Sequence, residues 1–222
     1  MSGVVGPRFG IVQDGLVLNL DASNTLSYPG SGTTWFDLTS NNNDGTLING
    51  PTFDSANGGS IVFDGVNDYV SFSTITNNIY TIDFWYKMGG NNGTYGYFAS
   101  SGANGFAISE GGTANGLSFG KFYYYNGSVN ILSDIPSTSN WNHICVVINT
   151  TSNNLQIFGN SVQLNNFTIS NMSTSVSNIG RYVPNFFNML NGNLASYKIY
   201  NRALSATEVL QNYNAQKSRF GL

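Results

Sequence analysis

The sequence predicts an all-β protein: a two-sheet antiparallel jelly-roll sandwich closed by one short C-terminal helix. Three observations carry this. Tyr80, Ile82, Phe84, Tyr86 and Met88 alternate with Thr81, Asp83, Trp85 and Lys87, the period of a half-buried strand. Short β-favouring runs recur between clusters of Gly and Asn at about the spacing of a sandwich. No helical periodicity appears before Ser205, where Ser205 and Glu208 have the spacing of a capping box.

Residues 1–14 hold Gly3, Gly6, Pro7 and Gly10 among scattered apolar residues. They read as an extended N-terminal arm ahead of a single domain at 15–222. Such an arm frays, or it lies on a neighbouring subunit with Arg8 and Phe9 as anchors and Ile11 and Val12 inserted beside them. A strand at 16–20 opens the domain and ends at Asp21. The stretch 28–43 is turn-rich, with Trp35 and Phe36 placed to cover one end of the sandwich.

Strands at 61–63 and 69–72 flank the 64–68 loop. Others are expected at 80–88, 95–100, 106–109, 117–125, 141–149, 155–158 and 176–179, and a last one after Gly192. Leu204 and Val209 then sit where a hydrophobic staple closes on a capped helix over 205–215. Leu210 and Tyr213, three apart, give that helix an apolar stripe. There is no repeat and no second domain.

Composition narrows the function. Of the 222 residues 41% are hydrophobic and 14% aromatic, enough for a core, but only 9% are charged. Asn, Gly, Ser and Thr therefore fill the surface, which suits hydrogen bonding to sugars or to other subunits. Eight Lys and Arg against eleven Asp and Glu leave no electrostatic footprint for nucleic acid. Cys145 is alone, so no intrachain disulfide forms, and within an apolar run it reads as a small buried hydrophobe. No signal-peptide pattern and no run of membrane-spanning length appear, so membrane contact is not expected and synthesis is expected in the cytoplasm. The five sequons, at Asn92, Asn126, Asn149, Asn166 and Asn171, are expected by chance in so Asn-rich a chain.

Two kinds of site are candidates. Asp64, Asn67 and Asp68 offer oxygen ligands on a Gly-containing loop, the hard chemistry Ca²⁺ prefers; the competing reading is Asx turns that bond their own backbone. Tyr95, Tyr97, Tyr123 and Tyr125 combine aromatic faces with nearby amides, and about two of the four successive aromatics at 122–125 should face outward. Phe186 and Phe187 are a second aromatic pair. For each of these aromatics core packing is the first reading, a subunit contact the second and a glycan contact the third.

Five segments carry a resemblance to a known family: Gly15–Asn24 (GLVLNLDASN), Gly58–Val70 (GGSIVFDGVNDYV), Tyr80–Lys87 (YTIDFWYK), Trp141–Asn149 (WNHICVVIN) and the closing run GNLASYKIYNRALSATEV. Together with WFDLTSNNNDGTLINGPTF they resemble LamG-like (laminin G/pentraxin-type) domains of the concanavalin A-like lectin/glucanase superfamily, in the family's order. The resemblance implies the jelly roll. It also implies that Ca²⁺ is a possible cofactor, since relatives often hold it, and that His143 is structural.

Glucanases of this fold carry their carboxylates on one strand as E-x-D-x-x-E, and retaining hydrolysis needs two carboxyl groups about 5–5.5 Å apart. This chain has only Glu110 and Glu208 as glutamates, and the second is assigned to the helix cap. No catalytic residue is therefore expected. The opening GLVLNLDASNTLSYPGSGTTW and the ending NYNAQKSRFGL resemble stand-alone proteins of tailed, especially marine, bacteriophages. That resemblance implies a non-catalytic virion surface protein, a capsid decoration or fibre component. Its partners would be other virion proteins or its own copies in an oligomer or lattice. The alternative is a lectin-like module that recognises cell-surface glycan.

Overall fold

The computed structural model describes residues 10–76, 79–90, 94–101, 104–110, 120–125, 129–134, 136, 139–149, 151–168, 175–182 and 189–222. In chain order the strands are β1 (Leu16–Asp21), β2 (Thr34–Trp35), β3 (Gly45–Ile48), β4 (Thr52–Asp54), β5 (Ser60–Asp64), β6 (Tyr69–Thr76), β7 (Ile79–Met88) and β8 (Thr94–Ser101). They continue as β9 (Asn104–Glu110), β10 (Lys121–Tyr125), β11 (Val129–Asp134), β12 (Asn142–Asn149), β13 (Asn154–Gly159), β14 (Val162–Thr168), β15 (Ser175–Ile179) and β16 (Asn191–Tyr200). One α-helix, α1 (Ala206–Gln216), follows, and a 3-10 turn at Lys217–Phe220 ends it.

Two eight-stranded antiparallel sheets form the jelly roll. The first runs β14-β13-β12-β7-β16-β5-β4, with β1 also on β16; the second runs β11-β10-β9-β8-β15-β6-β3-β2. The alternation read in β7 places Tyr80, Ile82, Phe84, Tyr86 and Met88 between the sheets. There Phe84 stacks on Phe98 at 4.4 Å and lies 6.0 Å from Tyr197. Trp35 is fully buried in the same core, whereas Phe36 is half-exposed, so only the first of the pair covers the sandwich.

The outer face of the first sheet is covered as well. Ser205 caps α1, accepting from the Glu208 amide while Glu208 accepts from the Ser205 amide at 2.8 Å. Leu204 and Val209 are buried in one cluster with Cys145, Val147, Phe158 and Tyr200. Leu210 corrects the expected stripe: it faces solvent, and Asn212 takes the buried position beside Val209.

The structure also corrects the arm. Val12 is buried in that same cluster; its amide donates to Asn212 Oδ1 at 2.8 Å, and its carbonyl accepts from the Tyr200 hydroxyl at 3.1 Å. Asp14 pairs with Arg202 at 2.8 Å. Val12 is therefore not free to enter a neighbour, because helix and sheet of its own domain already satisfy it. Arg8 and Phe9 lie outside the described residues, as do Phe186 and Phe187.

Candidate functional site

Strand register brings a row of small polar residues together on the outer face of the second sheet. Thr34 lies opposite Thr46, Thr46 opposite Ser71, and Ser71 opposite Asn178. Asn178 lies opposite Ser100, Ser100 opposite Gly105, and Gly105 opposite Tyr125. Alternation sets the direction. Thr46 sits between buried Gly45 and Leu47, and Ser71 between buried Val70 and Phe72. Four inter-strand steps of about 4.8 Å, from Thr34 to Ser100, make the polar row roughly 19 Å long.

Its centre is Asn178, whose Nδ2 donates to Ser177 Oγ at 2.8 Å while its buried Oδ1 has no partner. A buried carbonyl without a donor is uncommon and calls for a reason.

Tyrosines line the next row. Ile48 lies opposite Tyr69, and Ala107 sits between Tyr97 and Tyr123. Arg181 places its guanidinium 3.9 Å from the Tyr69 ring centroid, the geometry of a cation–π contact. The edge-to-face pair Tyr97 and Tyr123 are 6.2 Å apart, and Tyr182 lies 4.9 Å from Tyr97.

These two tyrosines do turn away from the inter-sheet core. However, they are only 3% and 2% exposed, so they are packed rings and not open platforms. Ring-on-ring packing consumes the faces a ligand would use. The side chains of Tyr95 and Tyr125 lie outside the described residues. Sequence reasoning missed Thr34, Thr46 and Ser100 because nothing in one strand shows which residues its neighbours place beside it.

A second polar cluster lies beneath α1. Asp83, His143, Lys198, Ser196 and Asn212 are all fully buried. One Asp83 oxygen accepts from Lys198 Nζ at 3.1 Å. The other lies 2.8 Å from His143 Nε2 and accepts from Asn212 Nδ2 at 3.1 Å. Lys198 also donates to Gln216 Oε1 at 3.0 Å. Burial alone would raise the Asp83 carboxyl, but the pull of His143 and Lys198 and the hydrogen bonds from His143 and Asn212 hold it well below its ordinary value.

An Asp–His pair is part of a catalytic triad, but a triad also needs a nucleophile on the other ring nitrogen. His143 Nδ1 is buried with no partner, and its ring is wedged between Trp85 and Tyr213. The cluster joins helix to sheet.

The 64–68 loop behaves as turn chemistry requires. Asp64 Oδ1 accepts from the Val66 and Asn67 amides at 2.8 and 3.3 Å, and Asp68 Oδ2 from the Asp64 amide at 3.1 Å. The Asn67 carbonyl accepts from Asn49. Burial pushes the Asp68 carboxyl above its ordinary value. Among the described residues no three His, Cys, Asp or Glu side chains gather as a metal site. Asp21 is likewise used internally, accepting from Ser23 and pairing with Arg219.

Comparison with known proteins fits this geometry. No curated protein matches the sequence. Among solved structures, domain 4 of AbnA, a GH43 extracellular arabinanase from Geobacillus stearothermophilus in complex with arabinotriose, aligns with a TM-score of 0.67 at 15% identity, over 91% of this chain and 100% of that one. The binding domain of Paraclostridial Mosquitocidal Protein 1 gives 0.65 at 18%, over 90% and 52%. Trypanosoma rangeli sialidase with the inhibitor DANA gives 0.67 at 13%, over 94% and 34%. The chain thus spans all of the arabinanase domain, half of the toxin domain and a third of the sialidase. At these identities the likeness is one of fold. A family model, Laminin_G_3, matches residues 63–210, two thirds of the chain and most of both sheets. By that match the chain belongs to the concanavalin A-like lectin/glucanases superfamily.

Proposed function

We propose that this chain is a non-catalytic, lectin-like module that binds a neutral oligosaccharide across the outer face of its second sheet. The observation that carries the reading is the uncharged row in which Thr34, Thr46 and Ser71 reach solvent, while buried Asn178 and Ser100 continue it and hold the sheet behind it. Hydroxyl and amide side chains both donate and accept, as sugar hydroxyls do, and the length of the row suits an oligomer better than a monosaccharide. The arabinotriose-bound neighbour supports the class of ligand.

The absence of catalysis rests on carboxylates: Glu208 is held by Arg202 and Ser205, and Asp83 is sealed under α1. Calorimetry with arabino-, gluco- and galacto-oligosaccharides should show binding without cleavage. Ser71→Phe, which fills the row, should weaken it tenfold or more with an unchanged melting temperature. Binding that survives Ser71→Phe, or none to any neutral glycan, would remove this site.

Ca²⁺ is not needed for this reading. Because Asp64 and Asp68 already hold their own loop, added Ca²⁺ should leave the melting temperature unchanged. An upward shift that Asp68→Ala abolishes would reveal a site there.

The second reading, a phage virion surface protein, rests on the resemblance of the chain's opening and closing segments. Those segments hold each other: Asp21 pairs with Arg219, and Gln216 donates to Asp21. Closure of the domain is thus a sufficient reason for their similarity, and mass spectrometry of purified particles is the test of the location.

A further inference from the structure

An asparagine followed by glycine is a chemically weak step in a protein chain. Glycine has no Cβ to shield its amide nitrogen, and its backbone turns freely enough to bring that nitrogen against the asparagine side chain. The sequence holds seven such steps, and the side chains of three of them, Asn49, Asn57 and Asn191, are among the described residues. The fold treats these three differently.

Asn191 and Gly192 lie in β16, between β5 and β7. Gly192 is paired with Phe63 on one side and Met88 on the other, and a Cβ there would lie 2.3 Å from the Lys87 carbonyl oxygen. Asn57 is held at both ends of its side chain. Its Oδ1 accepts from Trp141 Nε1 at 3.2 Å, its Nδ2 donates to the Arg219 carbonyl at 3.2 Å, and its own carbonyl accepts from Arg219 Nε. Either step must open locally before it can react.

Asn49 and Gly50 lie between β3 and β4, outside any strand, and both are exposed. Their φ angles are 70° and 106°, turn backbone with no ladder to break. Nothing lies within 4 Å of the position a Gly50 Cβ would take. One exposed contact holds the side chain: Nδ2 donates to the Asn67 carbonyl at 2.8 Å.

We infer that Asn49 is a site of spontaneous deamidation, with water as the co-reactant. The Gly50 amide nitrogen attacks Asn49 Cγ and gives up its proton to solvent. The new N–C bond closes a five-membered succinimide as the Cγ–Nδ2 bond breaks, and Nδ2 takes a proton from solvent and leaves as ammonia. Water then opens the ring at one of its two carbonyls. One opening gives aspartate in the ordinary chain, and the other an isoaspartyl link in which the main chain runs through Cγ. Nothing is oxidised or reduced. Either product carries a carboxylate, so the formal charge of −3 becomes more negative by one. An ionised carboxylate only accepts, so the bond from this turn to the 64–68 loop is lost. The inference does not depend on what the polar row binds.

The test is to incubate the full chain at mildly alkaline pH and map all three steps by mass spectrometry, with isoaspartate identified separately. In the folded chain, conversion at Asn49 should run about tenfold or more faster than at Asn57 or Asn191, and in guanidinium the three should convert at comparable rates. Equal rates at the three steps in the folded chain would overturn the inference. So would an Asn49 that stays intact in the folded chain while the unfolded chain reacts.

Discussion

Asp83→Ala is expected to destabilise the domain by about 3–5 kcal/mol, the range for removing one partner of a buried ion pair. Lys198 and His143 are fully buried and both rely on Asp83, so the variant leaves their charge and polarity sealed in an apolar layer. Asn212 loses its acceptor too, loosening α1. For a chain of this size the melting temperature should fall by on the order of 10 °C. Asp83→Leu combined with Lys198→Met removes both charges and should recover part of that loss. A single variant that costs less than about 1 kcal/mol would show that the cluster is not what holds the helix.

Acid should act on the same cluster. The Asp83 carboxyl is held well below its ordinary value, so its contribution is fully present above the unfolded value, about 3.9, and is lost as pH falls below that. Glu208 behaves alike. The hydrogen bonds from Arg202, and then from the Ser205 amide and hydroxyl, outweigh burial and bring it to about 2. Denaturation midpoints should therefore be flat near neutrality and fall between about pH 4.5 and 2. The Asp83→Ala chain should show a shallower fall.

The central strands were legible in the sequence because their chemistry is local. β7 alternates along its whole length, and Ser205 and Glu208 cap α1 as their spacing indicates. Five strands were not legible: β2, β3, β4, β11 and β14. They are short or rich in Asn and Thr, with little apolar alternation to show; β2, β4, β11 and β14 lie at sheet edges and β3 is only four residues long.

Thr81, Asp83 and Trp85 read as the solvent side of a half-buried strand, yet all are fully buried. Their cover comes from residues more than a hundred positions later. The helix misled for the same reason. It lies on a charged patch, so its inner face carries Asn212 and Gln216, while the apolar Leu210 is 44% exposed. The polar row was hidden at a further level, since lateral register across five strands is a property of the fold and of no single segment.

Truncation after Gln216 is the second large effect expected, and it tests that long-range cover directly. Six residues are lost, and most of their contacts are made by two. Phe220 stacks on Trp85 at 4.2 Å and lies 4.7 Å from Trp141. Arg219 pairs with Asp21 at 2.9 Å and donates to the Asn57 and Gly59 carbonyls. Gly59 is itself constrained there: at φ 129° a Cβ would lie 2.4 Å from the Ala22 carbonyl oxygen, so this backbone junction has one conformation to offer Arg219. Removing a buried aromatic typically costs about 3–5 kcal/mol, and loss of the Arg219 contacts adds to it. The truncated chain should melt more than about 10 °C lower, with tryptophan emission shifted to the red as Trp85 and Trp141 meet water while Trp35 stays in the core. Phe220→Ala should reproduce most of both changes, and Arg219→Ala the smaller part. A truncated chain that melts within about 2 °C of the full one would mean that the closing segment rests on the sandwich without holding it.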